Sequence, residues 1–380
     1  MKRDEFYTDL NLINLPIFSS SKKIKSQNKT EKIQLEKNNI KTNLIITYPN
    51  EKLSFFDRKV LATIEYLYCK KFDFNNTKKL FEGIQENVKL DYCKKNKIKE
   101  KDLSLTDEQT IIINSLENLS YEHRLYIDFK LINKFLSKTY LHSKIKKSLL
   151  KISETSINYE SDYIIDGSKI QFNQVLLNAK IVESESTKNK KNIVSISLNP
   201  FHLYNLIYNY NTKSDLNFLN SFESSIGGRL SELLRKSIYG SKNYNKSYVV
   251  YEYTYICNYL QIEKFKSLSR IIQQIENPFK ELIAKNIIVN YRIEKNLFGD
   301  YEVYFYHSFD FYKDYFESLD KDDVQKINNK IREIIKDEKK SKSLQNSIDD
   351  FFLNSKISSE EERKEIEPYY RYYIILKDFL

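Results

Sequence analysis

An α+β fold, mainly helical, is what the sequence predicts, and three observations predict it. Residues 248–306 read as a strand, a short helix, a longer helix and a β-hairpin, in that order. Residues 125–198 read the same way about one domain upstream. Beyond 308 the pattern turns helical and charged, with Val324, Ile327, Ile331 and Ile334 at helical spacing. Strand, helix, turn, helix and hairpin in sequence make a winged helix-turn-helix. The expected architecture is two tandem winged-helix domains, 46–210 and 218–316, between a flexible basic N-terminal arm, 1–45, and a helical C-terminal extension, 317–380.

The arm opens with an apolar patch at 10–18 and runs into a Lys-, Asn- and Gln-rich stretch at 22–41, whose composition argues against a packed core. Residues 43–48 read as a strand ending at Pro49. From Ser54 the period becomes helical: Phe56, Val60, Leu61, Ile64, Leu67 and Tyr68 share one face, and Ser54 with Asp57 resembles a capping box. Residues 73–105 show no clear period, and the basic run 94–101 reads as a surface loop or frayed helix. Another helix is expected from Thr106, capped with Gln109, to about Asn118.

The upstream repeat begins with a strand at 125–129 and a short helix at 131–136. A longer helix runs from Tyr140 to near Ile152, with Leu141, Ile145, Leu149 and Ile152 as its buried stripe. Tyr140, Ser143, Lys144, Lys147 and Lys151 then turn outward. Strands follow at 156–160, 174–184 and 192–198. The last two are joined by a basic turn carrying Lys188, Lys190 and Lys191, as a wing gripping phosphates would be. Helices are expected at 200–210 and 218–239, joined by a polar loop at 211–217 that marks the domain boundary. Gly227 and Gly228 allow a sharp bend before a helix that starts at Arg229.

In the second repeat the aromatic and β-branched run 248–253 is a strand and 254–260 a short helix. The longer helix starts at Phe265, with Leu268, Ile271, Ile272 and Ile275 inward. Lys266, Arg270, Gln273 and Asn277, at i, i+4, i+7 and i+11, share the opposite face. Cations and side-chain amides so placed can contact phosphates and base edges in a major groove. Asn277 before Pro278 reads as a helix stop and restart, with a second helix to about Lys285. Strands at 287–293 and 301–306 enclose a turn containing Gly299. Further helices are expected at 344–353 and from Ser359, broken at Pro368, and the aromatic end, 369–380, is too apolar for a free tail.

Composition narrows the function classes. A net charge of +10 suits a nucleic-acid partner, but wealth in Lys, Asn, Ile and Tyr is also what an AT-rich genome produces, so placement of the cations outweighs their number. No apolar run could span a bilayer and 1–10 does not resemble a signal peptide, so a cytoplasmic protein without a membrane partner is expected. Cys69, Cys93 and Cys257 form no CxxC pair, which predicts neither disulfides nor zinc. The chain has no phosphate-binding glycine motif, and His123, His142, His202 and His307 lack metal-ligand spacing. The expectation is a protein that is not an enzyme, with no catalytic residues, metal or cofactor.

Several segments together resemble plasmid replication initiators built from two winged helices. They are LSFFDRKVLATIEYL at 53–67, LYIDFKLINKFL at 125–136, KIKKSLLKISETSINYE at 144–160, VSISLNPFHLYNLI at 194–207, GRLSELLRKSIYG at 228–240 and the stretch 248–293. NLPIFSSSKK at 14–23 is similar to the start of one branch of that family, and the likeness spans roughly 14–312. It lies in element order and short apolar patterns, and 73–105 and the tail after 316 are longer than the family pattern. The resemblance implies binding of double-stranded DNA at repeated origin sites (iterons), origin bending or opening, and recruitment of a host initiator and helicase. It also implies a homodimer that represses its own gene, with the first winged helix as the dimer contact. A double winged-helix transcription regulator shares every local feature, and a protein-interaction scaffold would use the same folds without DNA, its outward stripes not needing to be basic.

Overall fold

The computed structural model describes residues 5–20, 30–37, 40–48, 51–159, 164–165, 168–169, 173–182, 193–208, 211–239, 248–307 and 337–355, with separate positions at 325–336 and 360–374. The chain divides into two units, Met1–Glu223 with Asn258–Ile262, and Ser224–Cys257 with Glu263–Leu380. The expected wing tip with Lys188, Lys190 and Lys191 lies outside the described residues.

In the first unit, β1 (Glu5–Asp9), α1 (Leu10–Asn14) and β2 (Phe18–Ser19) replace the expected flexible arm. Phe6, Leu12, Ile13, Leu15, Ile17 and Phe18 are buried. The cause is non-local. β1 pairs antiparallel with β13 (Asn211–Asp215), Glu5 opposite Asp215, so the polar stretch expected as a boundary loop is a strand. β2 pairs in parallel with β5 (Leu53–Ser54). β3 (Thr30–Lys37) and β4 (Ile40–Thr47) form an antiparallel hairpin inside the Lys-rich stretch.

α2 (Phe55–Lys71) starts at a complete capping box: Ser54 Oγ accepts the Asp57 N–H, and the Asp57 carboxylate accepts the Ser54 N–H. The periodic pattern gives this helix one apolar face, yet Arg58, Lys59, Thr63 and Glu65 are buried as well. Each polar group is satisfied, as burial demands. Lys59 Nζ donates to the Asn220 and Phe222 carbonyls at 2.9 and 2.8 Å, while Arg58 donates to Glu65 at 2.7 Å and Thr8 at 3.2 Å. α3 (Phe74–Asn96) fills the aperiodic stretch and ends at Lys97 in the left-handed region. α4 (Leu105–Glu122) is capped by Ser104 with Asp107, two residues before the expected start. Phe81, Leu116, Leu119 and Ile207 pack together between these helices and α7 (Pro200–Ile207). α8 (Leu216–Asn220) closes the run.

The repeat in the first unit is β6 (Leu125–Asp128), α5 (Phe129–Phe135), α6 (His142–Glu154), β11 (Leu177–Val182) and β12 (Ile193–Leu198). Four short strands, β7 (Ser156–Tyr159), β8 (Ile164–Ile165), β9 (Ser168–Lys169) and β10 (Asn173–Val175), intervene. β7 and β10 extend the sheet of β3 and β4, in the order β10-β7-β4-β3. Ile145, Leu149 and Ile152 are buried as their spacing predicts, but Leu141 precedes the first helical turn and is 78% exposed.

The second unit repeats the order with α9 (Ser225–Tyr239), β14 (Tyr248–Glu252), α10 (Tyr253–Leu260), α11 (Leu268–Ala284), β15 (Ile288–Lys295) and β16 (Tyr301–His307). Both repeats build a three-stranded antiparallel sheet in which the first strand pairs with the last and the last with its hairpin partner: β6-β12-β11 and β14-β16-β15. Gly227 and Gly228 lie within the first turn of α9 rather than at a bend, where Ser224 Oγ accepts the Gly227 N–H at 3.1 Å. α12 (Glu338–Ser355) lies further along the chain.

α11 overrides two local expectations. It starts at Leu268 rather than Phe265, and it runs through Pro278 without a stop at Asn277. Proline in a helix interior costs about 3 kcal/mol. Ile271, Ile275, Phe279 and Leu282 are all fully buried on one face. Carrying Phe279 and Leu282 into the core returns about 1.5–3 kcal/mol each, which outweighs the break. The same register leaves Leu268 and Ile272, expected inside, 40% and 37% exposed.

Candidate nucleic-acid interface

The outward face of α11 is anchored from behind. Tyr253, buried at the start of α10, donates to Gln274 Oε1 at 2.7 Å and accepts the Phe265 N–H at 3.4 Å. Gln274 Nε2 donates in turn to the Glu263 carbonyl at 3.0 Å. Burial pushes the Tyr253 phenol well above its ordinary value, so it stays a neutral clamp on the turn between α10 and α11. Lys266 stands exposed in that turn, and Arg270, Gln273 and Asn277 stand exposed on successive turns of α11. Among the described residues, none of the four makes an ion pair or side-chain hydrogen bond. The Arg270 guanidinium lies 5.9 Å from the Phe265 ring centroid. An unpaired cation and two amides on a rigid helix face are free to meet phosphates and base edges.

The β15–β16 turn is bonded to the segment that leads into α11. Asn296 Oδ1 accepts the N–H groups of Phe298 at 3.1 Å and Asp300 at 3.0 Å, and Gly299 takes φ +85°, which favours glycine. Asp300 bonds Thr254 and pairs with Lys264 at 3.1 Å. Although burial raises its pKa, these partners and the Tyr301 N–H hold the carboxyl below its ordinary value. The turn is thus tied to both α10 and the segment before α11. At its tip Leu297 is 100% exposed and Phe298 95% exposed.

The corresponding face of α6 is differently occupied. Ser143, Lys144 and Lys147 are exposed and Tyr140 is half-buried. Lys144 Nζ lies 4.3 Å from the Phe56 ring and 4.4 Å from that of Tyr140, two rings packed edge to face at 4.7 Å. Lys147 pairs with Glu51 at 3.1 Å. Lys151 does not face outward: its side chain is 11% exposed, pairing with the buried Asp57 and donating to the Lys52 carbonyl at 3.2 Å. Asp57 also accepts from Ser148 Oγ at 2.6 Å. A cleft of about 520 Å³ runs along this face, lined by Glu51, Lys146, Lys147, Leu150 and Glu154 among others.

Sequence reading placed the α11 residues together, yet it missed the apolar turn tip. The signal was there: Leu297 and Phe298 sit directly before Gly299 in a hairpin turn, where a side chain has no core to reach. Among the described residues, no helix is long and apolar enough to cross a membrane, and no group of three His, Cys, Asp or Glu could hold a metal ion.

No protein family matches the sequence, and no curated protein matches it. Among solved structures, the chain is similar to a selenomethionine derivative of domains 2 and 3 of RctB, with a TM-score of 0.45 at 10% identity over 78% of this chain and 97% of that one. A second structure of RctB domains 2-3 aligns with a TM-score of 0.37 at 11% identity, over 76% of this chain and 95% of the other.

Proposed function

We propose that the chain is a sequence-specific, non-enzymatic DNA-binding protein built on two winged helices, and that it initiates replication at an origin carrying repeated sites. One observation carries the reading: Arg270, Gln273 and Asn277 stand exposed on one face of α11, with Lys266 exposed in the turn before it, and among the described residues none of the four has a competing ion pair. The repeated element order and shared sheet topology add a second helix, α6, in the equivalent position. In this reading α6 and α11 each enter a major groove, and the lysines supply the salt-sensitive attraction to phosphates. Iteron binding, origin opening with a host initiator and helicase, repression of its own gene as a dimer, and a cytoplasmic location follow from the family that the sequence resembles.

The test is a salt titration by fluorescence anisotropy of the full chain on DNA flanking its own gene, tiled as short duplexes, and on scrambled duplexes of equal length. A preference for some native tiles that survives physiological salt, with footprints that repeat, is the expected result. Equal binding to every duplex that fades with salt would leave only a basic surface and remove the initiator role.

A further inference from the structure

The hairpin tip presents Leu297 and Phe298 almost entirely to solvent on a turn closed by several hydrogen bonds around Asn296. Asn296 accepts two N–H groups across the turn, its own N–H donates to the Asp300 carbonyl at 2.8 Å, and its carbonyl accepts the Gly299 N–H at 3.1 Å. Asp300 then fixes the turn to Thr254 and Lys264. An ordered turn that holds two large apolar groups in water offers apolar surface whose burial against a partner would be favourable. We propose that this tip is a wedge that enters the minor groove of duplex DNA and unstacks a base step, so that the protein kinks its site. The inference rests on the DNA-binding reading of α11 and extends it to a residue pair that reading does not use.

Size and one free lysine beside the tip select DNA as the occupant. Two side chains offer far less than the roughly 800 Å² per partner of a stable protein interface. A membrane anchor is equally undersized, because even one whole acyl chain holds only marginally. A single Phe or Leu between two base pairs, by contrast, is the dimension of known intercalating side chains. Lys295 beside the tip is exposed and makes no ion pair among the described residues, so it can meet a flanking phosphate, whereas Arg292 further along the strand pairs with Glu294 at 3.2 Å. Lys264 at the base of the turn is already paired with Asp300, whereas Lys266 before α11 is exposed and makes no ion pair among the described residues.

The experiment uses the full chain and the native tile it binds most tightly, with donor and acceptor dyes at the duplex ends and 2-aminopurine scanned along the strand. The wild-type protein should bend the tile by about 20–90° and brighten 2-aminopurine at one step. Leu297→Ser/Phe298→Ser, whose positions are exposed and leave the core intact, should still prefer the tile over scrambled DNA but lose both signals. Arg270→Ala should do the reverse, weakening tile binding while retaining the bend at saturating protein. If the double variant bends and brightens the tile as the wild type does, the wedge is overturned and the reading of α11 stands. If no tile is preferred by the wild type, the DNA reading itself fails and the wedge with it. A variant that leaves the bend unchanged but alters sedimentation mass or vesicle flotation reassigns the tip to a second copy or a membrane.

Discussion

Arg270 and Lys151 are both basic residues that helical periodicity turns outward, and they end in opposite surroundings. Arg270 is exposed beside the Phe265 ring and, among the described residues, makes no ion pair. Lys151 folds its stem back to Asp57, whose side chain is 3% exposed. Periodicity fixes where Cβ points, not what a four-carbon stem can reach. Arg270→Ala should therefore cost about 1–3 kcal/mol on a native tile, and much less on scrambled DNA, if it reads a base edge. Lys151→Ala should leave that preference intact and instead lower stability by about 1.5–3 kcal/mol, because the buried Asp57 is deprived of a charged partner. Paired anisotropy and urea titrations separate the two, and an equal loss on both DNAs for Arg270→Ala would sink its base-reading role. The exposed face of α11 was legible because its residues are short of alternatives. Lys151 was not, because its partner lies 94 positions away in the chain.

At the scale of elements, local pattern found most helices and strands and misjudged those held by distant partners. β1 and β13 are polar or mixed stretches that become strands through each other, and α2 is buried on faces that read as charged. The buried charges also set how each unit responds to acid. Burial alone would raise the Glu65 pKa, but the Arg58 guanidinium, with His202 and Thr8, holds it at about 2 against an ordinary 4.5. Its stabilisation is complete above pH 4.5 and is lost as pH falls from there toward 2. His307, on β16, is pushed by burial from 6.5 to about 3 and is neutral in the fold. Its share is complete above pH 6.5 and shrinks as pH falls from 6.5 toward 3, because the unfolded chain takes up the proton first. Between pH 6.5 and 4.5 the larger loss falls on the sheet of the second unit through His307. Glu65 still holds α2, and the first unit loses only the smaller share of His123, whose pKa burial also lowers beside the end of α2. Hydrogen exchange corrected for intrinsic rate should show 301–307 losing protection in that window ahead of 55–71, and His307→Phe should abolish the difference. Earlier deprotection of α2 would contradict the assignment.

Across the whole molecule the repeat was legible as an order of elements, because each copy is written locally in strand and helix periods. What periods could not show is that the copies differ in how free their cations are. On α6, Lys147 is held by Glu51 and Lys144 by two rings, whereas Lys266 just before α11 and Arg270 on it meet no acid among the described residues. A lysine that exchanges a carboxylate for a phosphate contributes less to binding than one that is free, since its charge was already partly neutralised. The net charge of +10 therefore overstates the number of phosphates engaged, and the salt dependence should be uneven along the chain. Each phosphate the protein ceases to neutralise lowers the slope of log K against log salt by about 0.9. Lys266→Ala should release close to one phosphate, and Lys188→Ala, Lys190→Ala and Lys191→Ala together should release more, if that basic segment grips the backbone. Lys147→Ala should leave the slope nearly unchanged at low salt, where the Glu51 pair competes best with the backbone. Slopes measured on one native tile decide it: a Lys147 effect as large as that of Lys266 would mean that the Glu51 pair opens on DNA and that α6 grips phosphate as fully as α11.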